Sequence, residues 1–403
     1  TKQVPGDLQR FYASRSNKPL WIKRDALDPA AHALLELVRT AQYDGLDPAT
    51  FNADALAAAI QRPEGERPPE ALAQAELALS SALAAYVQGT RQAADADMLY
   101  EHDALRPFAP PAGSVLQEAA PAGSLAQYVR DMQWMNPLYA PLRHALASGG
   151  PAASEGVLLR NLARIRANPA QPAERYILVD TASASLWMYE GDRPVDSMKV
   201  VVGKPDMQTP LMSGYIRYAI YNPYWNIPAD LVRNRIAQNV LNQGLGYLKR
   251  GRYEVVSDWS PDAEVLDPKS IDWRAVANGK LQVHMRQLPG GANAMGNVKF
   301  EFPNPLGIYL HDTPDRDLLL EDARQFSSGC IRLEDAERLG QWLMRGAPAS
   351  ETDRPEQKVD LPRPVPIYVT YLTARPEGDR IAFGPDPYGR DEVSGRAMAL
   401  AAN

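Results

Sequence analysis

The apolar positions in the first part of the chain recur at helical spacing. Across residues 30–42 the Leu and Val side chains fall on one face of a helix. Residues 70–88 are rich in Ala and Leu and contain no internal Pro or Gly. Prolines precede this segment and Gly89 follows it, as is typical of helix ends. We therefore predict a helical N-terminal region, with further short helices at 125–134, 137–147 and 156–167.

Residues 106–123 interrupt this pattern with four prolines and two glycines. We interpret the segment as a linker of extended character, because prolines stiffen a chain in an extended conformation. The alternative is an ordered wall beside a binding groove.

From about residue 174 the pattern changes to short apolar or alternating runs that favour strands. We predict strands at 176–179, 185–189, 197–202, 215–221, 300–302, 308–310 and 365–372. Residues 190–192 predict a hairpin turn, and residues 334–344 predict a helix. The sequence therefore predicts an α+β protein, with a helical domain at residues 1–173 and a mostly β domain at residues 174–403.

The composition excludes some classes of partner. Lys and Arg number 43 and Asp and Glu number 49, so the formal net charge is −6. Nucleic-acid-binding domains usually carry a basic face, so we expect no nucleic-acid partner. No apolar run reaches the roughly 20 residues that a membrane-spanning helix needs, so we expect no span. The chain begins at Thr1, and we expect no signal peptide or anchor within it, so its location stays open.

The chain contains one cysteine, Cys330. One cysteine cannot form an internal disulfide or supply a multi-thiolate metal site. We expect no metal site and no cofactor. Taken alone, a single cysteine is as well explained by a small buried apolar side chain as by a reactive one. Its neighbours in the sequence favour a reactive one.

Cys330 follows Ser-Ser-Gly and lies 19 residues after His311, which ends a predicted strand. A cysteine attacks as the thiolate, and a histidine has a suitable pKa to remove the thiol proton. Gly329 permits a tight turn, so that the backbone N–H groups of Gly329 and Cys330 would face a developing oxyanion. A helix that we expect just after Cys330 would lower the pKa of the thiol through its N-terminus.

Residues 308–335 resemble the catalytic signature of the L,D-transpeptidase (YkuD-type) family, which has a His, a spacer, Ser/Thr-His-Gly-Cys, an apolar residue, and Asn or Arg. Residues 327–332 read Ser-Ser-Gly-Cys-Ile-Arg, so Ser328 stands where most members have His. This form is similar to the YcbB-like branch. Several other segments of this chain also resemble the branch, namely residues 19–21, 44–46, 200–210, 221–228, 286–300, 302–314 and 365–371. The span between about 100 and 174 is too short and Pro-rich for the peptidoglycan-binding module of larger members.

The resemblance implies an enzyme, a cysteine L,D-transpeptidase in the periplasm of a Gram-negative bacterium. Residues 174–403 would be its catalytic domain with a C-terminal β segment, and residues 1–173 a helical scaffold domain. Its partners would be peptidoglycan stem peptides and glycan strands, and carbapenem-type inhibitors are expected to react with it. Cys330 would form a thioester with the diaminopimelate of a donor stem, and His311 would be the base.

Further site residues follow from the same resemblance and from position. The backbone carbonyl of Asp312 is expected to orient His311, and the Asp312 carboxylate is the alternative. Tyr309, two residues before His311 on the same face of a strand, lines the pocket or packs in the core. Trp225 forms a pocket wall or lid, or packs in the core. Arg332 binds a substrate carboxylate, or pairs with Glu334 or Asp335. Ser328 is expected to take part in substrate binding.

Two other functions stay open on the sequence. Water in place of an acceptor amine would make the protein an L,D-carboxypeptidase or endopeptidase. A protein that kept the fold without catalysis would bind the cell wall. A papain-like protease is disfavoured, because the signature around its cysteine is absent. The sequence does not distinguish 3–3 from 1–3 cross-links.

Overall fold

The computed structural model describes residues 6–24, 26–61, 68–149, 152–170, 173–260, 262–346 and 354–392. The predicted domain ends at 1–5 and 393–403 lie outside this part of the chain. In the described N-terminal region the α-helices are α1 (Gly6–Ser14), α2 (Ala30–Arg39), α3 (Ala53–Gln61), α4 (Pro69–Arg91), α5 (Ala112–Ala119), α6 (Leu125–Arg130), α7 (Tyr139–Ala147) and α8 (Ala152–Arg166). The helical prediction for this region is confirmed.

The helices enclose one apolar core around α4, whose Leu79 and Leu83 are fully buried. A polar group, Asp44, lies inside this core. Its carboxylate accepts hydrogen bonds from the Tyr86 hydroxyl at 2.5 Å and the Tyr139 hydroxyl at 2.9 Å, and it pairs with Arg143 at 3.2 Å. A buried charge is tolerated only when it is paired and hydrogen-bonded, so these partners make Asp44 a satisfied polar centre of the helical domain.

The interpretation of residues 106–123 as an extended linker is wrong. The segment contains α5, which begins directly after Pro111 and buries Val115, Leu116 and Ala119 in the helical core. Prolines are compatible with the start of a helix, because the first helical N–H groups lack a partner within the helix anyway. Before α5, Phe108 is exposed and lines a small cavity of about 140 Å³ whose walls include neither Cys330 nor His311.

The strands, in chain order, are β1 (Ile22–Lys23), β2 (Ala26–Leu27), β3 (Leu99–Tyr100), β4 (Arg175–Asp180), β5 (Ser185–Glu190), β6 (Arg193–Gly203), β7 (Met212–Tyr221), β8 (Trp225–Asn226), β9 (Tyr253–Val256), β10 (Val265–Leu266), β11 (His284–Gln287), β12 (Val298–Glu301), β13 (Leu310–His311), β14 (Gln325–Ser327), β15 (Ile331–Leu333), β16 (Gln357–Thr370), β17 (Ala374–Glu377) and β18 (Arg380–Phe383). The large sheet has the order β12-β13-β15-β6-β5-β4-β16-β7-β3. Because β12 also pairs with β7, this sheet closes on itself. The mostly β C-terminal region is thus confirmed.

Alternate residues of the closed sheet face its apolar interior, as strand geometry requires. Ile177, Val200, Leu310, Ile331 and Ile367 are fully buried there. Helix α13 (Ala336–Leu343) adds its own leucines to this core. The side chains between these positions face outward, and the candidate site lies on that outer face.

An insertion between β7 and β12 has a core of its own, which includes Ile227, Trp273 and Met285. Its strands pair in the order β10-β9-β11-β8. Its helices are α9 (Ala229–Leu231), α10 (Gln238–Gln243), α11 (Gly246–Arg250) and α12 (Trp273–Ala277), with a π-helical turn over Val232–Ala237. No element of the insertion was predicted from the sequence.

The two halves of the chain exchange elements. Strand β3, which precedes residue 173, pairs in parallel with β7 of the large sheet. In return, Leu372 and Ala374, near the β17–β18 hairpin, are buried in the helical core. The division of the chain between residues 173 and 174 stays a prediction. Within the described residues, no helix combines the length and apolar character needed to cross a bilayer.

Candidate active site

Strands β13 and β15 lie side by side in parallel, with Leu310 opposite Ile331. Both of these side chains point into the core. The residues on either side of them therefore point outward, because successive side chains of a strand alternate between faces. This register places Cys330, just before Ile331, and His311, just after Leu310, on one outer face of neighbouring strands.

Tyr309 and Arg332 share this outer face. The Tyr309 ring lies 6.1 Å from the His311 ring, centroid to centroid, in an edge-on arrangement. Burial, and next the charge of the neighbouring Cys330, raise the pKa of Tyr309 well above its usual value. Tyr309 therefore lies close to Cys330 on this face.

His311 is buried and hydrogen-bonded at one ring nitrogen. Its Nδ1 lies 2.6 Å from the backbone carbonyl oxygen of Asp312. A carbonyl only accepts, so Nδ1 carries the proton and Nε2 has a free lone pair in the neutral ring. Burial lowers the pKa of His311 to about 3, against the hydrogen bond to Asp312, and the positive charges of Arg332 and Lys299 lower it further. The ring is therefore neutral at pH 7 and its Nε2 is able to accept a proton.

The Asp312 carboxylate is bonded elsewhere. It accepts from the backbone N–H of Asn297 at 2.9 Å and pairs with Arg316 at 2.6 Å. Gly296, at φ 63°, leaves room for it, because a Cβ there would collide with this carboxylate. Of the two expected ways to orient His311, the structure places the backbone carbonyl in contact with the ring, and the carboxylate holds that carbonyl in position.

Cys330 is partly exposed, and its thiol donates to the carbonyl of Gly307 at 3.6 Å. Burial raises the pKa of Cys330 to about 11, although the Tyr309 backbone N–H opposes this. The expectation that a helix follows Cys330 and lowers its pKa is wrong. Cys330 runs into β15, because Ile331 and Leu333 alternate into the core, and α13 begins only at Ala336. Because the pKa of Cys330 lies well above 7, its resting sulfur is a thiol.

Gly329 has φ 113°, a backbone conformation that favours glycine. Its N–H donates to the Ser327 hydroxyl at 3.1 Å, so it is not free to hold an oxyanion as expected from the sequence. Its carbonyl accepts from Thr209 Oγ1 at 2.7 Å. The next N–H, that of Cys330, has no acceptor among the residues that the structure describes. One of the two expected oxyanion donors therefore remains.

The other predicted residues are placed as follows. Arg332 pairs with Asp315 at 3.1 Å, not with Glu334 or Asp335, and its buried Nε has no partner within the described chain. Ser328 is exposed on the turn at residues 327–330, which we call the nucleophile turn. Trp225 lies in the insertion, where its backbone pairs with β11 and its side chain packs against the core of the insertion. This contact agrees with the core-packing alternative for Trp225, and its role as a pocket wall or lid stays a prediction.

Two residues of this face were missed in the sequence. Lys299 lies opposite His311 in the β12–β13 pair, and its ammonium lies 5.4 Å from the centre of the Tyr309 ring. Lys299 pairs with Glu301 at 3.1 Å, with only 14% and 17% of the two side chains exposed. The alternation of charged and apolar residues at 298–301 was the available signal. Within the described residues, no group of three or more His, Cys, Asp or Glu side chains is arranged to hold a metal.

The low pKa of His311 predicts a specific acid sensitivity. The folded pKa of His311 lies near 3, whereas the unfolded pKa of a histidine is about 6.5. Below about pH 6.5 the unfolded chain therefore binds a proton that the folded protein does not bind, so the free energy of unfolding falls as the pH falls. Between pH 6.5 and 4.5 we expect His311 to account for a loss of about 2 kcal/mol in the free energy of unfolding. Urea unfolding of wild type and His311→Gln at both pH values measures it.

The matched control is His32→Gln, at an exposed histidine of α2. It should keep the acid loss of the wild type, whereas His311→Gln should reduce it. Equal pH dependence in wild type and His311→Gln would contradict a buried neutral ring.

Comparison with known proteins gives the class of this chain. Residues 174–360 match the family model of the L,D-transpeptidase catalytic domain (YkuD), and residues 6–146 match that of the Scaffold domain. The chain therefore carries a catalytic domain of the L,D-transpeptidase family behind a Scaffold domain, as YcbB-like enzymes do. This family acts on peptidoglycan, and its catalytic domain in this chain supports a peptidoglycan-modifying enzyme.

Among individual proteins, the chain is 28% identical to a protein of Haemophilus influenzae named "Putative L,D-transpeptidase", over 95% of this chain and 78% of that protein. Solved structures that are similar to part of this chain include an L,D-transpeptidase from Mycobacterium smegmatis (14% identity, 50% of this chain and 60% of that chain, TM-score 0.24). Another is L,D-transpeptidase 3 from Mycobacterium tuberculosis (14% identity, 49% and 60%, TM-score 0.24).

Proposed function

We propose that this chain is a peptidoglycan L,D-transpeptidase that forms a thioester between Cys330 and the diaminopimelate of a donor stem peptide. The observation that supports this most is the shared outer face of β13 and β15, which carries Cys330 and His311 together. Because Nδ1 of His311 is engaged by the Asp312 carbonyl, its Nε2 is the nitrogen available to the thiol.

In the proposed reaction, Nε2 of His311 takes the thiol proton as the sulfur attacks the carbonyl of diaminopimelate at position three. The tetrahedral oxyanion is held by the Cys330 N–H. The bond to the terminal D-amino acid then breaks, and His311 returns the proton to the leaving amine. A thioester remains on Cys330. The amine of an acceptor stem attacks it, gives its proton to His311 and forms the cross-link, while the thiol is regenerated.

The electrostatics of the site favour proton transfer during attack instead of a resting ion pair. Burial raises the pKa of Cys330 to about 11 and lowers that of His311 to about 3, so both groups are neutral at pH 7. The negative charge of Glu301 raises the pKa of Cys330, and the positive charges of Arg332 and Lys299 each lower it by less than Glu301 raises it. The two cations therefore oppose the effect of Glu301 at this position. They would stabilise the anionic sulfur and the oxyanion that form when substrate arrives.

A guanidinium can share its donors between Asp315 and a ligand, which supports a role for Arg332 in binding a substrate carboxylate. Ser328, exposed beside the nucleophile, is proposed to line the same cleft, with Tyr309 as its wall. We propose the periplasm of a Gram-negative bacterium as the location, with glycan strands and stem peptides as partners. Carbapenem-type β-lactams are expected to acylate Cys330.

The experiment is incubation of the purified protein with disaccharide tetrapeptide donors and tetra- or pentapeptide acceptors, followed by mass spectrometry. A cross-linked dimer, with loss of one terminal D-amino acid, is the expected product. Tripeptide alone, formed in the presence of excess acceptor, would show that water resolves the thioester and would make the protein a carboxypeptidase. No change in either stem would sink the enzymatic proposal and leave wall binding.

A further inference from the structure

A segment beyond the matched catalytic domain contacts the loop that holds the nucleophile turn. We call residues 384–392 the C-terminal strap. Within it, the Tyr388 hydroxyl donates to the carbonyl of Gly203 at 2.6 Å. Arg390 donates to the Gln208 side chain at 2.9 Å and to the carbonyl of Thr209 at 3.3 Å. The strap thus fixes residues 203–209, although the matched catalytic domain ends at residue 360.

The strap is in turn anchored to the helical domain. Arg164 of α8 pairs with Asp391 at 2.7 Å and donates to the carbonyl of Arg390 at 2.8 Å. Only 7% and 10% of the Arg164 and Asp391 side chains are exposed. The Asp386 carboxylate also accepts from the backbone N–H groups of Arg390 and Asp391, both at 2.8 Å. The strap is therefore held in one conformation by buried, charge-assisted contacts, which are stronger than neutral ones.

Thr209 connects the strapped loop to the nucleophile. It is fully buried, and its hydroxyl accepts from the backbone N–H of Gly203 at 2.9 Å. The same hydroxyl donates its single proton to the carbonyl of Gly329 at 2.7 Å. This carbonyl belongs to the peptide unit that links Gly329 to Cys330.

In a trans peptide, the carbonyl and the N–H point in opposite directions within one plane. A hydrogen bond that fixes the Gly329 carbonyl therefore also fixes the direction of the Cys330 N–H. The same bond polarises the peptide unit, which strengthens its N–H as a donor. On the far side, Ser327 Oγ donates to the carbonyl of Cys330 at 2.6 Å, so the turn is held at both ends.

We propose that Thr209 is a positioning residue that aims the Cys330 N–H at the oxyanion, and that Arg390 acts through it. The helical domain then takes part in catalysis, because Arg164 holds the strap that holds Thr209. The proposal rests on the proposed function, in which Cys330 is the nucleophile. It goes beyond that function by assigning a role to residues outside the matched catalytic domain.

Thr209→Val and Thr209→Ser form the primary test, since valine keeps the shape and serine keeps the hydroxyl. We expect Thr209→Val to lower kcat by about 10- to 100-fold with KM within about twofold, because a misaimed oxyanion donor loses transition-state stabilisation. Thr209→Ser should stay within about threefold of wild type. An unchanged kcat in Thr209→Val, or equal losses in both variants, would overturn the proposal.

Alkylation of Cys330 by iodoacetamide separates positioning of the N–H from a disturbed thiol. This displacement forms no oxyanion, so its rate in Thr209→Val should match the wild type within about twofold. A parallel drop in alkylation and kcat would overturn the assigned role. Turnover that survives in Cys330→Ala would instead refute the proposed function, so the two failures are distinguishable.

Arg390→Met tests the strap, with Arg380→Met, an exposed arginine of β18, as the matched control. We expect kcat to fall about 5- to 10-fold in Arg390→Met and to stay unchanged in the control. The double variant with Thr209→Val should be no slower than Thr209→Val alone, because residues that act in series are not additive. Multiplied losses would show that Arg390 acts by another route. If Thr209→Val unfolds in a thermal scan, a normal kcat in folded Arg390→Met overturns the proposal.

Discussion

Replacing Cys330 with alanine should lower the turnover of stem-peptide donors by at least about 10³-fold, because no other side chain can form the thioester. The chain has no second cysteine to substitute for it. Cys330→Ser should be nearly as inactive, since a hydroxyl loses its proton far less readily than a thiol. Product formation, followed by mass spectrometry against the wild type, measures both losses.

Folding and labelling supply the controls for this variant. Cys330 is partly exposed on a turn, so its replacement should leave the thermal unfolding temperature within a few degrees of the wild type. A thiol-reactive probe should label the wild type once and Cys330→Ala not at all. Residual activity above about a tenth of the wild type would rule out a covalent role for this sulfur.

Asp44→Ala is expected to destabilise the helical domain by about 3–5 kcal/mol, the range for removing one partner of a buried ion pair. The change would leave the Arg143 guanidinium, which is 3% exposed, without its counter-charge. It would also leave the hydroxyls of Tyr86 and Tyr139 without their acceptor. Urea unfolding at pH 7, monitored by the helical signal, gives the difference.

Asp47→Ala is the matched control, because Asp47 is exposed and only caps a short helical turn. It should cost about 1 kcal/mol. Similar losses in the two variants would contradict a stabilising role for the buried partners of Asp44. In the double variant Asp44→Ala, Arg143→Met, part of the lost stability should return, since the unpaired buried charge is removed.

The class of fold was predictable because the periodicity of the apolar residues changes once along the chain. Segments such as 70–88 and 176–179 lie in α4 and β4, where local pattern and tertiary packing agree. The insertion was missed, because strands of two residues such as β8 and β10 are too short to show alternation. Residues 106–123 were misread, because prolines mark the start of α5 as well as they mark a linker.

The chemical identity of the site was easier to predict than its electrostatics. Cys330 and His311 stand out by residue type and by their neighbours in the sequence, and the fold places both on one face. Their protonation states depend on burial, which no local pattern reveals. Lys299 comes to His311 through the pairing of β12 with β13, a long-range contact that periodicity does not encode. The same holds for the hydrogen bond of Thr209 to Gly329.

The exchange of β3 and of the residues around Ala374 between the two halves has an evolutionary consequence. In a protein built of independently folded domains, one domain can be replaced by an unrelated domain without loss of the other. Here, any replacement for the helical half would have to supply an edge strand that pairs with β7 in the correct register. It would also have to bury Leu372 in its own apolar core. The two halves are therefore expected to be inherited as one unit and to diverge in step with each other.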